Sequence, residues 1–538
     1  MNVKKQGYSR DILFVVTCML LMAVPASYEP HHFSKALLAG ALLQSAAYGM
    51  VLAWLTHKSK VARNVVLVVL TLLFALETYA YVTFDSRLTP SILTLMLQTS
   101  WKEIGEFFSV YVLSWRTVAF VFVAAVLVTA YCYVHCRFFA DVTIGKKLKY
   151  AAIALAVAGI SLFFIPLPFP LGQNTLNQLF ISGQFVWETH QEIETMETMI
   201  DQINITKTPT KADAPVVVLV IGESFNKYHS SLYGYMLPTQ PRLTAERDSG
   251  QLIVYTHAMT PTNGTAYAMR YLFSQKGCGE NVDSTDCVLM PAVFRKAHYQ
   301  VAYFDNQYTR SSGGALDYSC GYFLNPEYIN DQCFDYRNDQ TMDYDADFVK
   351  HYSETFLRQP RSLNIIHLMG QHFDAAKRYP EAFDKFHAED IHRPDLDEGE
   401  RTQVAQYDNA TLYNDYTLAG IIDVFRDVDA VVIYLSDHGE QIYDDAEHVY
   451  GRMFGSLQSK ATLKNVYQVP FMVWCSNTYQ TKHPDDFQRL SEARDKVVCT
   501  ADLPYLLYDL AGIDFNYHHP ERSFIHPSFQ SHQTILQK

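Results

Sequence analysis

The chain has 538 residues, of which 49% are hydrophobic and only 18% charged. That excludes wholesale disorder and leaves material for more than one core. The net charge of −13 averages two unlike parts: residues 1–170 carry +7 and residues 171–538 carry −20. An acidic C-terminal two-thirds argues against nucleic acid as a partner, since phosphate binding needs basic surface.

In the first 170 residues, five stretches have the length and apolar content of membrane-crossing helices: 11–27, 36–55, 64–84, 117–136 and 149–167. Glu77 is the acidic residue well inside a span, expected to pair locally or to face a wet cavity. Lys4, Lys5, Arg10, Lys58, Lys60, Arg63, Arg137, Lys146, Lys147 and Lys149 collect on one side of these spans. Lys35, Arg87, Lys102 and Arg116 collect on the other. The imbalance predicts a multi-pass protein with a cytoplasmic N-terminus and everything after residue 170 outside. Six of the nine cysteines fall in that exported part. Sequence neighbours suggest Cys278–Cys287, Cys320–Cys333 and Cys475–Cys499, among the 15 pairings six cysteines allow.

Residues 171–214 read as a connector. Within it Val186, Ile193, Met196, Ile200 and Ile203 recur at helical spacing, an amphipathic helix that either docks or stands as a solvated spacer. From 215 to 538, short Val/Ile-rich runs (Val216–Ile221, Val301–Phe304, Leu363–Met369, Val431–Leu435) are separated by helical patterns. They predict an α/β domain with a mostly parallel central sheet.

Each run ends in chemistry. VVVLVIGES delivers Glu223, VAYFDNQ delivers Asp305 and Asn306, NIIHLMGQH delivers His367 and His372, and VVIYLSDHGE delivers Asp437 and His438. In open α/β sheets ligands bind beyond the carboxyl ends of the strands. Glu223, Asp437 and His438 offer two oxygen ligands and an imidazole, a set that suits zinc with an open position. Thr265 follows Asn263-Gly264, a dipeptide that can present a hydroxyl from a bend. His229, His372 and His448 are further candidates near a metal.

The motifs VIGESFNKYHSSLYGY (220–235), NGTAYAM (263–269), HLMGQH followed by KRYPE (367–381), YDNATLYND (407–415) and SDHGEQIYDDAEH (436–448) form an ordered set. With them the chain resembles the phosphoethanolamine transferases of Gram-negative envelopes, in the alkaline phosphatase/sulfatase superfamily, and most of all the branch that modifies the lipopolysaccharide core. The resemblance implies five membrane helices (1–170), a linker (171–214) and a periplasmic sulfatase-like domain (215–538), anchored in the inner membrane. It implies zinc, one ion or two, held by Glu223, Asp437 and His438 with Thr265, which carries the covalent intermediate. His372 and His448 match histidines on the transferred phosphoryl group or a second zinc. Asn306 matches a substrate-contacting asparagine. Glu103, on the outward loop 85–116, matches an acidic residue tied to ethanolamine binding. The implied donor is phosphatidylethanolamine and the acceptor lipopolysaccharide or lipid A. The nearest alternative, a lipoteichoic-acid-type synthase, would transfer glycerol phosphate. Two positions depart from the family: Asn226 where Arg is common, and Tyr271 where some members have a cysteine.

Overall fold

The computed structural model describes residues 2–27, 35–84, 174–277, 287–309, 322–444, 448–452 and 460–532. Its chain divides into two compact units, with a break between Thr189 and His190.

The first unit contains α1 (Asn2–Ala23), α2 (Lys35–Leu55) and α3 (Lys60–Phe84). Three of the five expected spans fall on these helices; 117–136, 149–167 and Glu103 lie outside the described residues. Among the described residues, Lys60–Tyr79 is long and apolar enough to cross a bilayer, while Leu13–Ala23 and Gly40–Leu55 are shorter apolar stretches. Val61, Val65, Val68, Val69, Leu72 and Leu76 stand exposed on α3. In water such a face would be a liability, and beside acyl chains it is not. Glu77 is fully buried and accepts a hydrogen bond from the Thr175 hydroxyl, so its pairing is local.

The connector is one long helix, α4 (Thr175–Gln202). In the second unit its Met196, Met199, Ile200 and Ile203 are buried in the core, with Ile193 packed against them. Of the two expectations, docking is the one observed. A helix with that stripe cannot leave it in water at about 25 cal/mol per Å².

A seven-stranded sheet organises the second unit: β1 (Val216–Gly222), β2 (Leu252–Val254), β3 (Gln300–Asp305), β4 (Tyr336–Arg337), β5 (Ser362–His367), β6 (Ala430–Ser436) and β7 (Phe471–Cys475). The spatial order is β2-β7-β6-β1-β5-β3-β4. The four runs expected from sequence are β1, β3, β5 and β6, and they pair in parallel. The sheet is nevertheless mixed, because β7 pairs antiparallel with both β6 and β2. The expectation of a mostly parallel sheet missed this edge: β2 has three residues, too few for a periodicity, and the direction of β7 is set by how the chain returns after β6.

Alternation in the strands feeds two cores. Val217, Leu219, Ile221, Ile433 and Leu435 face one side, against α5 (Thr265–Phe273) and the end of α4. Val216, Val218, Val220, Val432 and Tyr434 face the other, against Leu418, Ile421 and Phe425 of α6 (Glu398–Phe425). Both faces are covered, which explains why these strands read as continuous apolar runs. Cys333 and Cys475 are buried free thiols, so the pairings Cys320–Cys333 and Cys475–Cys499 are absent. Cys278 lies outside the described residues. Spacing misled here because a thiol inside a packed core is as much a small apolar group as a bridge partner.

Candidate metal centre

β1 and β6 run side by side with Gly222 opposite Ser436. The next residues, Glu223 and Asp437, therefore leave the sheet together, with His438 one step on. The ligand atoms of all three lie within 4.8 Å of one another, and all three residues are buried. His438 Nδ1 is 2.8 Å from the Gly439 carbonyl oxygen. A carbonyl only accepts, so Nδ1 carries a proton and Nε2 is left facing the centre, 3.3 Å from Glu223 Oε1 and 3.0 Å from Asp437 Oδ2. Asp437 Oδ1 is spent on the backbone N–H groups of Ser224 and His438, at 3.1 and 2.7 Å. Its Oδ2 is buried and accepts no hydrogen bond.

Two carboxylates and an imidazole lone pair buried this close together repel unless a cation or a proton lies among them. The electrostatics show that demand. Burial would raise the Glu223 carboxyl, but the charge of His438 and the hydrogen bond they share, with the charges of His372 and Arg452, hold it well below the usual range. Burial and Arg452 both oppose protonation of His438; the Asp437 and Glu223 carboxylates outweigh them and push its imidazole up to about 9. An orphaned buried oxygen, a second carboxylate and an aimed ring nitrogen fit a zinc ion by the chemistry of the donors.

Thr265 opens α5, and its hydroxyl lies 3.1 Å from Glu223 Oε2, 3.3 Å from Oε1 and 3.2 Å from His438 Nε2. A helix N-terminus stabilises negative charge developing on that oxygen.

The sequence had not marked what holds Glu223 in place. Ser224 sits at φ 56°, a left-handed conformation a serine adopts only when its surroundings fix it. Its hydroxyl donates to Glu223 Oε1 at 2.7 Å. The Tyr407 hydroxyl donates to the Ser224 carbonyl at 2.6 Å and accepts from Asn226 N–H at 2.7 Å. Asn226 in turn donates to the Glu440 carbonyl and the Asp444 carboxylate, at 2.9 and 2.8 Å. Behind the turn, Gly370 has φ 53°, and a Cβ there would meet the Glu223 backbone at 2.8 Å.

The remaining expected residues divide. His372 is close enough for its charge to act on Glu223. His448 is not brought to the triad: its Nε2 is 2.9 Å from Glu400 Oε1, its ring packs on Tyr443, and its side chain is 41% exposed. Asn306 is buried with its amide spent, donating to Asp345 at 2.8 Å and accepting from Met342 N–H at 2.7 Å. The next residue reaches the centre instead. Gln307 donates to Glu223 Oε2 at 3.2 Å and to the Leu368 carbonyl at 2.9 Å, and approaches His367 Nε2 at 3.0 Å. His229 lies in a separate buried cluster, its Nδ1 2.7 Å from Asp408 and its Nε2 3.3 Å from Asp444.

The sulfatase family profile matches residues 215–513, more than half of the chain. This protein belongs to the sulfatase family. Phosphoethanolamine transferase EptC of Escherichia coli K12 is 27% identical to this sulfatase-family chain over 484 residues, 84% of this chain and 80% of that protein. Phosphoethanolamine transferase CptA of Salmonella typhimurium is 28% identical over 328 residues, 59% and 54% of the two chains. Among solved structures, the C-terminal periplasmic domain of E. coli EptC in complex with zinc matches at TM-score 0.51 and 28% identity, over 61% of this chain and 91% of that one. The integral membrane protein lipooligosaccharide phosphoethanolamine transferase A of Neisseria meningitidis matches at TM-score 0.67 over 96% and 98%. At 17% identity that likeness is one of fold. The resemblance first drawn from the motifs is borne out.

Proposed function

We propose that the chain is a zinc-dependent phosphoethanolamine transferase of the bacterial inner membrane. It moves phosphoethanolamine from phosphatidylethanolamine to lipopolysaccharide, on a core sugar or on lipid A. The observation that carries this reading is the Thr265 hydroxyl within 3.1–3.3 Å of Glu223 and His438, in a chain whose relatives are named for this reaction.

Glu223, Asp437 and His438 would hold the zinc, which when bound supplies Lewis-acid stabilisation of oxyanions. In the first step the Thr265 Oγ–phosphorus bond forms and the bond from phosphorus to the diacylglycerol oxygen breaks. The proton released from the Thr265 hydroxyl ends on the diacylglycerol oxygen, which leaves as the alcohol. His372, whose charge acts on Glu223, would relay it. In the second step an acceptor hydroxyl or protonated phosphate attacks in line, the bond from phosphorus to Thr265 Oγ breaks, and the acceptor's proton restores the Thr265 hydroxyl. Phosphoryl transfer asks chiefly for positioning and charge neutralisation. The membrane unit keeps the enzyme where a two-chain donor stays, since each buried methylene contributes about 0.8 kcal/mol to lipid retention.

Mass spectrometry tests the reading. Thr265 should carry a phosphoethanolamine adduct after exposure to donor, and Thr265→Ala should leave the lipopolysaccharide of the host unmodified. A glycerol phosphate adduct, or an adduct on another residue, would overturn it.

A further inference from the structure

Arg452 approaches this centre from the loop beyond His438. Its side chain is 12% exposed, and its Nε lies 3.6 Å from the buried Glu440 carboxylate. Its Nη1 donates to the Asn263 carbonyl at 3.0 Å and to His438 Nε2 at 2.5 Å. The Thr265 hydroxyl and Arg452 Nη1 approach the same atom, His438 Nε2, so the guanidinium is a neighbour of that hydroxyl. His448, the histidine expected near this centre, lies against Glu400 instead.

His438 Nε2 has one lone pair. With Nδ1 protonated, that lone pair can take a proton, a guanidinium N–H or a divalent cation, but only one of them, and the guanidinium and the metal repel each other besides. The Asn263 and Glu440 contacts do not involve that nitrogen and survive its loss. A guanidinium offers five N–H donors and no acceptor, in a fork that suits phosphoryl oxygens.

We propose that Arg452 is a phosphoryl-binding residue: when a divalent cation takes His438 Nε2, the guanidinium, still anchored on the Asn263 carbonyl, donates to the non-bridging oxygens of the group carried on Thr265. It transfers no proton and forms no bond to phosphorus. The proposal rests on the transferase reading above and names a residue that reading did not include.

The test uses the full chain in detergent, as wild type, Arg452→Ala and Arg452→Lys. Zinc affinity, by chelator competition, should tighten about tenfold or more in Arg452→Ala, because a competing positive charge is removed. Inorganic phosphate, titrated into zinc-loaded protein, should bind roughly tenfold more weakly, as loss of a charge-assisted contact requires. Formation of the Thr265 adduct should slow roughly 10²-fold, and Arg452→Lys should fall between wild type and Ala in all three readouts. Unchanged zinc and phosphate affinities in a variant that unfolds like wild type would overturn the proposal. If Arg452→Ala does not fold, unchanged affinities in Arg452→Lys would do the same. Should wild type itself form no adduct on Thr265, the transferase reading fails, and the zinc and phosphate titrations still decide Arg452.

Discussion

Tyr407→Phe removes one oxygen atom some distance from any bond that breaks, yet it should be costly. The hydroxyl serves the Ser224 carbonyl at 2.6 Å and the Asn226 N–H at 2.7 Å. Ser224, Asn226 and Tyr407 are all buried, so water cannot replace it. Each buried group left unpaired costs about 1–3 kcal/mol, giving about 2–6 kcal/mol for the pair. The ring itself is retained, and with it the edge contact to His229 at 5.3 Å between centroids, so packing is preserved. For a domain this large the loss lowers the melting temperature by about 5–10 °C. The same hydroxyl holds Ser224 in its left-handed conformation, directly after Glu223. Releasing it lets Glu223 drift, and zinc affinity should fall about 10–100-fold, the usual cost of losing a residue that orients a ligand. Scanning fluorimetry of the full chain gives the first quantity and chelator competition the second. A Phe variant that melts within about 1 °C of wild type and binds zinc equally well would refute the idea that this turn is held from α6.

Two further outcomes follow from the packing. Burial would lower the His229 pKa, but Asp444 and Asp408 outweigh it and raise the imidazole to about 10. A folded-state pKa above the unfolded value of about 6.5 adds stability that is complete below that pH and is lost as pH rises through about 10. Unfolding midpoints of the wild type should therefore fall across that window, and those of Asp408→Asn should fall less; parallel curves would contradict the assignment. A catalytic fragment beginning at residue 211 strips Met196, Met199, Ile200 and Ile203 from the core, whereas one beginning at 190 keeps them. At about 1.5–3 kcal/mol for each buried side chain, the shorter fragment should be far less stable in urea, and both should lose most transfer to lipid acceptors for want of the first unit. Equal urea midpoints would show that the helix stripe adds nothing.

The sequence by itself determined the elements whose cause is local. Four Val/Ile runs became four neighbouring strands because a strand covered on both faces must be apolar throughout. Glu223, Asp437 and His438 were legible as a candidate ligand set because they come within two residues of the end of such a strand, and Thr265 because a motif surrounds it. Tertiary structure alone decided matters that depend on two distant segments meeting. Cys475 stays a thiol inside the core, β7 runs against its neighbours, and His448 faces Glu400. Gln307, Tyr407 and Arg452 reach the centre from three separate segments, and no spacing in the chain announces that. Strand ends fix where a side chain starts, but a loop's hydrogen bonds fix where it finishes, and those partners lie up to hundreds of residues away.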